Sequence, residues 1–457
     1  MPALRALLLA AAIPASAVEA GQASAIVDAS GVKGGLVVHL GCGGGQLTAA
    51  LRANDRYLVH GLDTDSRNVA NAREHIGSLG LYGKVSVNTF DGKRLPYVDN
   101  VVNLLVAEDL GDVTRDEVMR VLAPLGVAMV GGKKTIKPWP EGMDEWTHYL
   151  HGPQNNAVAR DAAIGAPRSL RWSAPPRWGR THEELASLSA LVTARGRLFT
   201  ILDDAPLISL WYPAEWKLVA RDGFNGKKLW ERAIPTWNDH LRHFRSGPLH
   251  LPRRLVAVGD DVFVTLGLDA PVTRLDAATG EMRHVYKGTE HTEEIVCHDG
   301  TLYLMVGTSE GKRSGAGLSA RGEPKPTESR FLVALNTESG EERWRKNAKG
   351  ADFILPLSLT ALGDKVFYQT VRGIACVDAR SGAPEWMAER PTPSKRYGWS
   401  TSTLVVTEGV VLCADRKMPD AKGAKVAAAT ADLEWGVTCF NVSGVPRRGA
   451  NDLIAYS

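Results

Sequence analysis

The sequence predicts a multidomain protein: an α/β domain with a parallel sheet, then an all-β array of stacked blades. Three observations carry this. The first is a strand–glycine loop–helix pattern, opened by Leu36-Val-Val-His-Leu40 and Gly41-Cys-Gly-Gly-Gly45. The second is a five-residue turn that recurs along the C-terminal half. It reads Asp222-Gly-Phe-Asn-Gly226, Asp276-Ala-Ala-Thr-Gly280, Asn336-Thr-Glu-Ser-Gly340 and Asp378-Ala-Arg-Ser-Gly382. The third is a Trp four residues after the glycine, at Trp230, Trp344 and Trp386, replaced by His284 in the second copy.

In the N-terminal part, Tyr57–Leu62 reads as a second strand ending at Asp63, followed by helix Ser66–Leu79 and strand Lys84–Val87. Strand Asn103–Ala107, helix Arg115–Leu122 and strand Val127–Val130 follow. Strands alternating with helices imply a parallel sheet with right-handed crossovers. Glycines between strand and helix let the backbone approach a ligand at the strand's C-terminal edge. Asp63, closing the next strand, is placed to accept hydrogen bonds from a ribose diol. The third glycine comes too early for the GxGxxG of a dinucleotide-binding loop. After Val130 the chain reads Gly131-Gly-Lys-Lys and Pro138-Trp-Pro140, which breaks helix and strand. Lys133 and Lys134 read as a solvated loop.

In the C-terminal part, an Asp or Asn opening each turn can bond amides further on, and Gly supplies the positive φ. The Trp leads the next strand, where its ring can dock on the neighbouring blade while its N–H finds a carbonyl. The copy holding His284 reads as degenerate. Copies lie roughly 40–60 residues apart, the spacing of propeller blades. One such unit cannot bury both its faces, so the units must stack. Residues 452–457, Asp-Leu-Ile-Ala-Tyr-Ser, imitate the strand Phe331–Asn336 that leads into a turn. This predicts a chain that stops inside a repeat and an incomplete, unclosed propeller.

The residues carry two resemblances. HLGCGGGQL followed by VHGLDTDSRNVANAR resembles the first two motifs of class I S-adenosylmethionine-dependent methyltransferases. That resemblance implies that Gly41, Gly43 and Gly45 face the methionine part of S-adenosylmethionine and Asp63 its ribose. It places Asp91 near the adenine and Glu108 among the substrate-facing residues closing the fourth strand. No catalytic residue is implied. Departures are Gly44 in the glycine loop, Pro124-Leu-Gly126 for the usual Pro-Gly-Gly, and the loss of the family's last helix and strands. The turn repeats resemble the quinoprotein-type propeller of PQQ-dependent dehydrogenases and of the BamB assembly factor. Those enzymes often carry a vicinal cysteine pair; this chain has none, which argues against PQQ.

The boundaries expected are a signal peptide over 1–20, a Rossmann-like methyltransferase-type domain over 25–135, a connecting segment over 136–180 and propeller repeats over 181–457. Arg5, the apolar run Ala6–Ile13 and Ala15-Ser-Ala17 have the layout of a secretory signal, with the mature chain starting near Val18 or Gly21. Export to the periplasm or envelope is the expectation. The apolar run is too short for a membrane span. A net charge of +3 over 457 residues gives no reason to expect nucleic acid. The five cysteines, Cys42, Cys297, Cys376, Cys413 and Cys439, show no CxxC spacing, and the last four read as small buried residues of strands.

The connecting segment is dense in polar residues, notably Asp144-Glu-Trp-Thr-His-Tyr-Leu-His-Gly-Pro-Gln-Asn-Asn156. His148 and His151, like His240 and His243, have a spacing that could share a metal on a helix. Gly152-Pro153 favours a turn, and no acidic or Cys partner stands at a ligand offset. A hydrogen-bonded linker packed on the propeller is therefore expected. Signal, short methyltransferase-like domain, this segment and the propeller together resemble an exported bacterial fusion family. Two functions follow: an S-adenosylmethionine-binding methyltransferase-like protein whose propeller docks a protein or small-molecule substrate, or a non-catalytic exported scaffold with a vestigial methyltransferase domain.

Overall fold

A computed structural model describes residues 15–442, apart from 164, 168, 177–178, 180–186, 207, 209–211, 238–250, 308–329, 348–352, 393–402, 408 and 417–434. His240, His243 and the segment 452–457 lie outside the described residues, and so does the expectation of a truncated repeat. The chain divides into two compact units. The first holds residues 1–141, Ser169–Trp172 and Asp222–Leu229; the second holds Gly142–Arg168, Ser173–Arg221 and Trp230–Ser457.

The first unit is built on helices α1 (Ala15–Ser30), α2 (Gln46–Ala50), α3 (Ser66–Ser78) and α4 (Arg115–Val121). Its strands are β1 (Gly35–Leu40), β2 (Tyr57–Asp63), β3 (Val85–Thr89), β4 (Val102–Ala107), β5 (Leu122–Val130) and β6 (Lys133–Ile136). They form one sheet in the order β3-β2-β1-β4-β5-β6. The first five run parallel, and β6 returns antiparallel to β5. Burial on both faces follows the period of two along each strand. Val37, Val59, Leu104 and Val106 pack on one side with Val69, Ala72 and Ile76 of α3. Val38, Leu62, Leu105 and Ala128 pack on the other with Val118 and Val121 of α4.

One element corrects the sequence reading, and another adds to it. Lys133 and Lys134 are not loop: Gly131 and Gly132, at φ 51° and 74°, make a two-residue turn that folds β6 back on β5. All four residues of β6 are exposed, and lysines on such an edge discourage further pairing. The segment around Ala15-Ser-Ala17 opens α1, a helix that continues to Ser30 and buries Ala23 and Val27 in the core of the sheet.

The second unit is a series of small antiparallel sheets, each a meander of consecutive strands. Blade one is β7 (Leu188–Ala194), β8 (Arg197–Asp203), β9 (Trp216–Asp222) and β10 (Lys228–Ala233). Blade two is β11 (Leu255–Val258), β12 (Asp261–Thr265), β13 (Val272–Asp276) and β14 (Met282–Val285). Blade three is β15 (Thr292–His298), β16 (Thr301–Gly307), β17 (Arg330–Asn336) and β18 (Glu342–Asn347). Blade four is β19 (Thr360–Leu362), β20 (Lys365–Gln369), β21 (Gly373–Asp378) and β22 (Pro384–Glu389). Blade five shows three described strands, β23 (Thr403–Thr407), β24 (Val410–Arg416) and β25 (Trp435–Asn441). The first strands of successive blades lie side by side. Cys297, Cys376 and Cys413 are buried in strands, as expected; the side chain of Cys439 is outside the described set.

The repeated turn works as its residues require. Asp276 Oδ1 accepts from the amides of Ala278 and Thr279, and Asn336 Oδ1 from those of Glu338 and Ser339, at 2.7–2.9 Å. Each turn then receives a ring from the blade before it. The indole N–H of Trp230 donates to Ala277 O at 3.0 Å, that of Trp344 to Ala379 O at 3.0 Å, and that of Trp386 to Val442 O at 2.8 Å. The ring lies so close over the turn glycine that a Cβ on Gly280 or Gly382 would meet it at 2.6 Å. Blade two is not degenerate. His284 lies against Gly340, and Tyr286, 4.6 Å from it between ring centroids, supplies the missing donor through its hydroxyl to Thr337 O at 2.6 Å. Two residues share what one indole does elsewhere. In the first unit, Trp172 covers Gly226 and donates to Gly223 O at 3.0 Å in the same manner.

Candidate functional sites

The order β3-β2-β1-β4-β5 reverses direction between β1 and β4, and ligands of open α/β sheets bind at that point beyond the strands' C-terminal ends. A cavity of about 930 Å³ opens there. Gly41 lines it, at φ 72° with open space where a Cβ would stand. Gly43 and Gly45 stand behind the wall. Gly43 donates its N–H to Asp63 Oδ2 at 3.0 Å, and Gly45 packs so tightly on Ala72 that a Cβ would come within 2.8 Å. Asp63 lines the cavity while holding its loops: Oδ1 accepts from Asp65 N at 2.9 Å and Asn68 Nδ2 at 3.2 Å. Asp91 lines it too. Its Oδ1 accepts from Lys93 N and Arg94 N at 2.8 Å, bonds that hold its carboxyl below the ordinary range. Glu108, Asp109 and Asp112 complete the rim beyond β4.

Sequence reasoning missed several lining residues. Glu19, Gln22 and Ile26 come from α1, whose first turns read as a leader. His39 lies on β1 and is 6% exposed; its Nδ1 bonds Thr48 Oγ1 at 2.8 Å. Burial lowers its pKa to about 4, so it is neutral at physiological pH. Its place two residues before the glycine loop was the signal that could have marked it. Cys42 is pushed up to about 11 by burial and by the Asp63 charge, so it is a thiol and not a nucleophile.

In the second unit, the polar segment 144–156 turns at Gly152-Pro153 and bonds in sequence to the first strand of each blade. Thr193 N donates to Trp146 O at 2.7 Å, Ala257 N to Thr147 O at 3.0 Å, and Cys297 N to His148 Nε2 at 3.1 Å. Ala361 N donates to Pro153 O at 2.9 Å and Val406 N to Gln154 O at 3.0 Å. Asn155 Nδ2 bridges Leu359 O and Leu404 O. This strap lies along the first strands of the five described sheets. Asp144 accepts from His151 Nε2 at 2.7 Å. Among the described residues no cluster of His, Cys, Asp and Glu is arranged to hold a metal ion.

His148 is buried, and burial with His298 close by lowers its pKa to about 3. Its Nε2 must be bare to accept from Cys297, while Nδ1 faces the Thr147 hydroxyl at 2.7 Å. The folded pKa lies below the ordinary value. The group therefore contributes full stability above about pH 6.5, lost progressively as pH falls toward 3. Denaturation between pH 7 and 5 is expected to show about 1.4 kcal/mol lost per pH unit below pH 6 from this residue. In His148→Gln the acid slope should flatten; an unchanged slope would remove His148 as its source.

A methyltransferase-domain family model matches residues 37–126, and a model described as outer membrane protein assembly factor BamB matches residues 315–439. The chain thus carries an N-terminal S-adenosylmethionine-methyltransferase-like domain fused to a C-terminal PQQ/BamB-like β-propeller domain. A search of curated proteins returns no match. Among solved structures it is similar to a putative S-adenosylmethionine-dependent methyltransferase from Methanococcus maripaludis. Identity there is 21%, over 25% of this chain and 55% of that one, with TM-score 0.24. It is also similar to BamB from Moraxella catarrhalis at 14% identity, over 55% of this chain and 56% of that one, TM-score 0.32. A quinohemoprotein alcohol dehydrogenase from Comamonas testosteroni is 12% identical over 69% of this chain and 50% of that one, TM-score 0.41. The chain thus spans about half the length of these structures. Among the described residues no helix is long and apolar enough to cross a membrane.

Proposed function

We propose that the first unit binds S-adenosylmethionine in the cavity beyond β1 and β4, and that the propeller docks a protein or small-molecule substrate. The observation that carries the reading is the convergence on one cavity of the bare Gly41 backbone, Asp63 closing β2, Asp91 and Glu108. In this reading Asp63 takes the ribose, Asp91 stands near the adenine, and Gly41, Gly43 and Gly45 shape the loop at the methionine part. The cofactor's activated methyl would be the group transferred.

The propeller enters as a docking module and not as a quinone site. The strap 144–156 bonds to the first strand of each of the five described blades, and such a row of buried hydrogen bonds is costly to displace. The second reading, an exported scaffold with a vestigial first unit, is favoured by the leader-like N-terminus. Sequencing the N-terminus of protein recovered from the cell envelope distinguishes them. A start near Val18 supports export, and a start at Met1 or Pro2 removes it.

Asp63→Ala is expected to weaken S-adenosylmethionine binding by tenfold or more, the loss of about 1.5–3 kcal/mol of hydrogen bonding to a charged group. Because Asp63 also holds Gly43 and Asp65, titration calorimetry should be paired with a melting curve that verifies the fold. Wild-type protein that binds neither S-adenosylmethionine nor S-adenosylhomocysteine at millimolar concentration overturns the reading.

A further inference from the structure

Helix α1 enters the cavity wall from outside. Glu19, Gln22 and Ile26, spaced three and four apart, form one stripe of the helix and line the cavity. Further along, Ala23 and Val27 are buried in the core of the sheet, whereas Val18 is 58% exposed. The N-terminal end of α1 therefore stands at the mouth. Ala15, its first residue, lies about 6 Å of helical rise beyond Glu19. Residues 1–14 join the fold at that point.

What joins there suits the wall it meets. Residues 1–14 are apolar but for Arg5, their one charged side chain. Ile26, Leu47, Phe90 and Leu110 line the cavity and are only half-buried, so each presents apolar surface to it. Glu19 and, beyond β4, Glu108, Asp109 and Asp112 line it with negative charge, and no Lys or Arg is among the lining residues. Pro14 stands directly before α1 and disfavours helical backbone at Ile13, which biases the segment to leave the axis of the helix. Fourteen residues reach about 21 Å even as a helix, enough to cross the mouth of a cavity of about 930 Å³.

We propose that residues 1–14 fold back over this cavity and close it until they are removed. The apolar run Ala6–Ile13 lies on the half-buried apolar side chains, and Arg5 meets the carboxylates beyond β4. Apolar burial supplies the attraction, and the opposite charges set which way round the segment lies. The cut expected near Val18 then does two things at once. It takes away the cover, and it leaves Glu19, Gln22 and Ile26 in place, so the wall of the cavity stays whole. A cut at Gly21 would remove Glu19 from that wall, so the geometry selects Val18 of the two starts. A chain that keeps the segment has its cavity shut; a processed chain has it open.

Hydrogen exchange tests this on two purified proteins, the full chain and a chain that starts at Val18. Leu110, Gly111 and Asp112 lie in the loop beyond β4 that lines the cavity. Their amides should exchange about tenfold or more slowly in the full chain. Arg5→Glu and Leu8→Asp, each in the full chain, should move exchange back toward that of the Val18 chain; both change the segment alone. Equal exchange in the full and the shortened chain overturns the proposal. So does protection that neither substitution relieves, because the contacts named would not be its cause. Protection that rises with protein concentration places the segment on a second copy and overturns closure within one chain. The readout needs no ligand, so its failure is told apart from failure of the S-adenosylmethionine reading, which titration of the Val18 chain tests by itself.

Discussion

Trp344→Ala should destabilise the propeller by about 3–5 kcal/mol, the cost of emptying an aromatic site in a packed core. Trp344 is 8% exposed and packs in one cluster with Tyr303, Ile354, Tyr368 and Val377, which spans blades three and four. Three interactions end together when the ring goes. The surface against Gly382 is lost, the contact with Tyr303 at 5.9 Å between centroids is lost, and Ala379 O loses the indole donor. Ala379 O keeps one donor, the Tyr303 hydroxyl at 3.1 Å, so the cavity dominates and not the hydrogen bond. Blade two provides the control, because its latch is divided. Tyr286→Phe removes only the hydroxyl donor to Thr337 O, for about 1 kcal/mol. His284→Ala removes a smaller ring from Gly340 and should cost less than Trp344→Ala. Denaturant unfolding of the four proteins gives the ranking. If His284→Ala matched Trp344→Ala, ring burial would not be what holds neighbouring blades together.

This latch shows what a sequence can carry. The turns were legible because their chemistry is local: a carboxylate or amide bonds amides two and three residues on, and a glycine takes the positive φ. The indole was legible as a fixed offset from that glycine. Its replacement in blade two was not. His284 and Tyr286 divide the role between two positions, and neither alone matches the repeat. β6 escaped for a different reason. Its Lys-Lys-Thr-Ile run has neither apolar alternation nor burial, and it is a strand only because the Gly131-Gly132 turn lays it against β5.

The candidate site divides along the same line. Gly41 and Asp63 could be found because a loop and a strand end recur at a known spacing. Glu19, Gln22 and Ile26 could not, since an apolar N-terminus reads first as a leader. The strap was visible as a polar, turn-containing stretch, yet nothing in it announces its path. Its bonds to Ala361 and Val406 span more than two hundred residues, and periodicity carries no such information.

Removal of Arg253 should be as damaging as removal of Trp344. Arg253 and Glu294 are 6% and 1% exposed at their side chains and meet at 2.5 Å, Nη1 to Oε1. Glu294 Oε2 accepts from Leu359 N at 3.1 Å, and the guanidinium lies 5.5 Å from the centre of the Tyr149 ring. One ion pair thus joins blades two, three and four to the strap. Arg253→Met keeps much of the volume but strands a buried carboxylate, a loss of about 3–5 kcal/mol for a pair broken on one side. Burial already pushes the Glu294 carboxyl up, and without its partner it would take a proton to stay inside. Arg253→Met with Glu294→Gln removes the charge and retains an acceptor for Leu359 N, so it should recover most of the loss. The double-mutant cycle measures the coupling. Hydrogen exchange locates it: the amides of Leu359 and Ala361 should lose protection in Arg253→Met, whereas Thr193, bonded to the far end of the strap, should keep it. A cycle that closes with no coupling energy would mean that the strap is held by its backbone bonds alone.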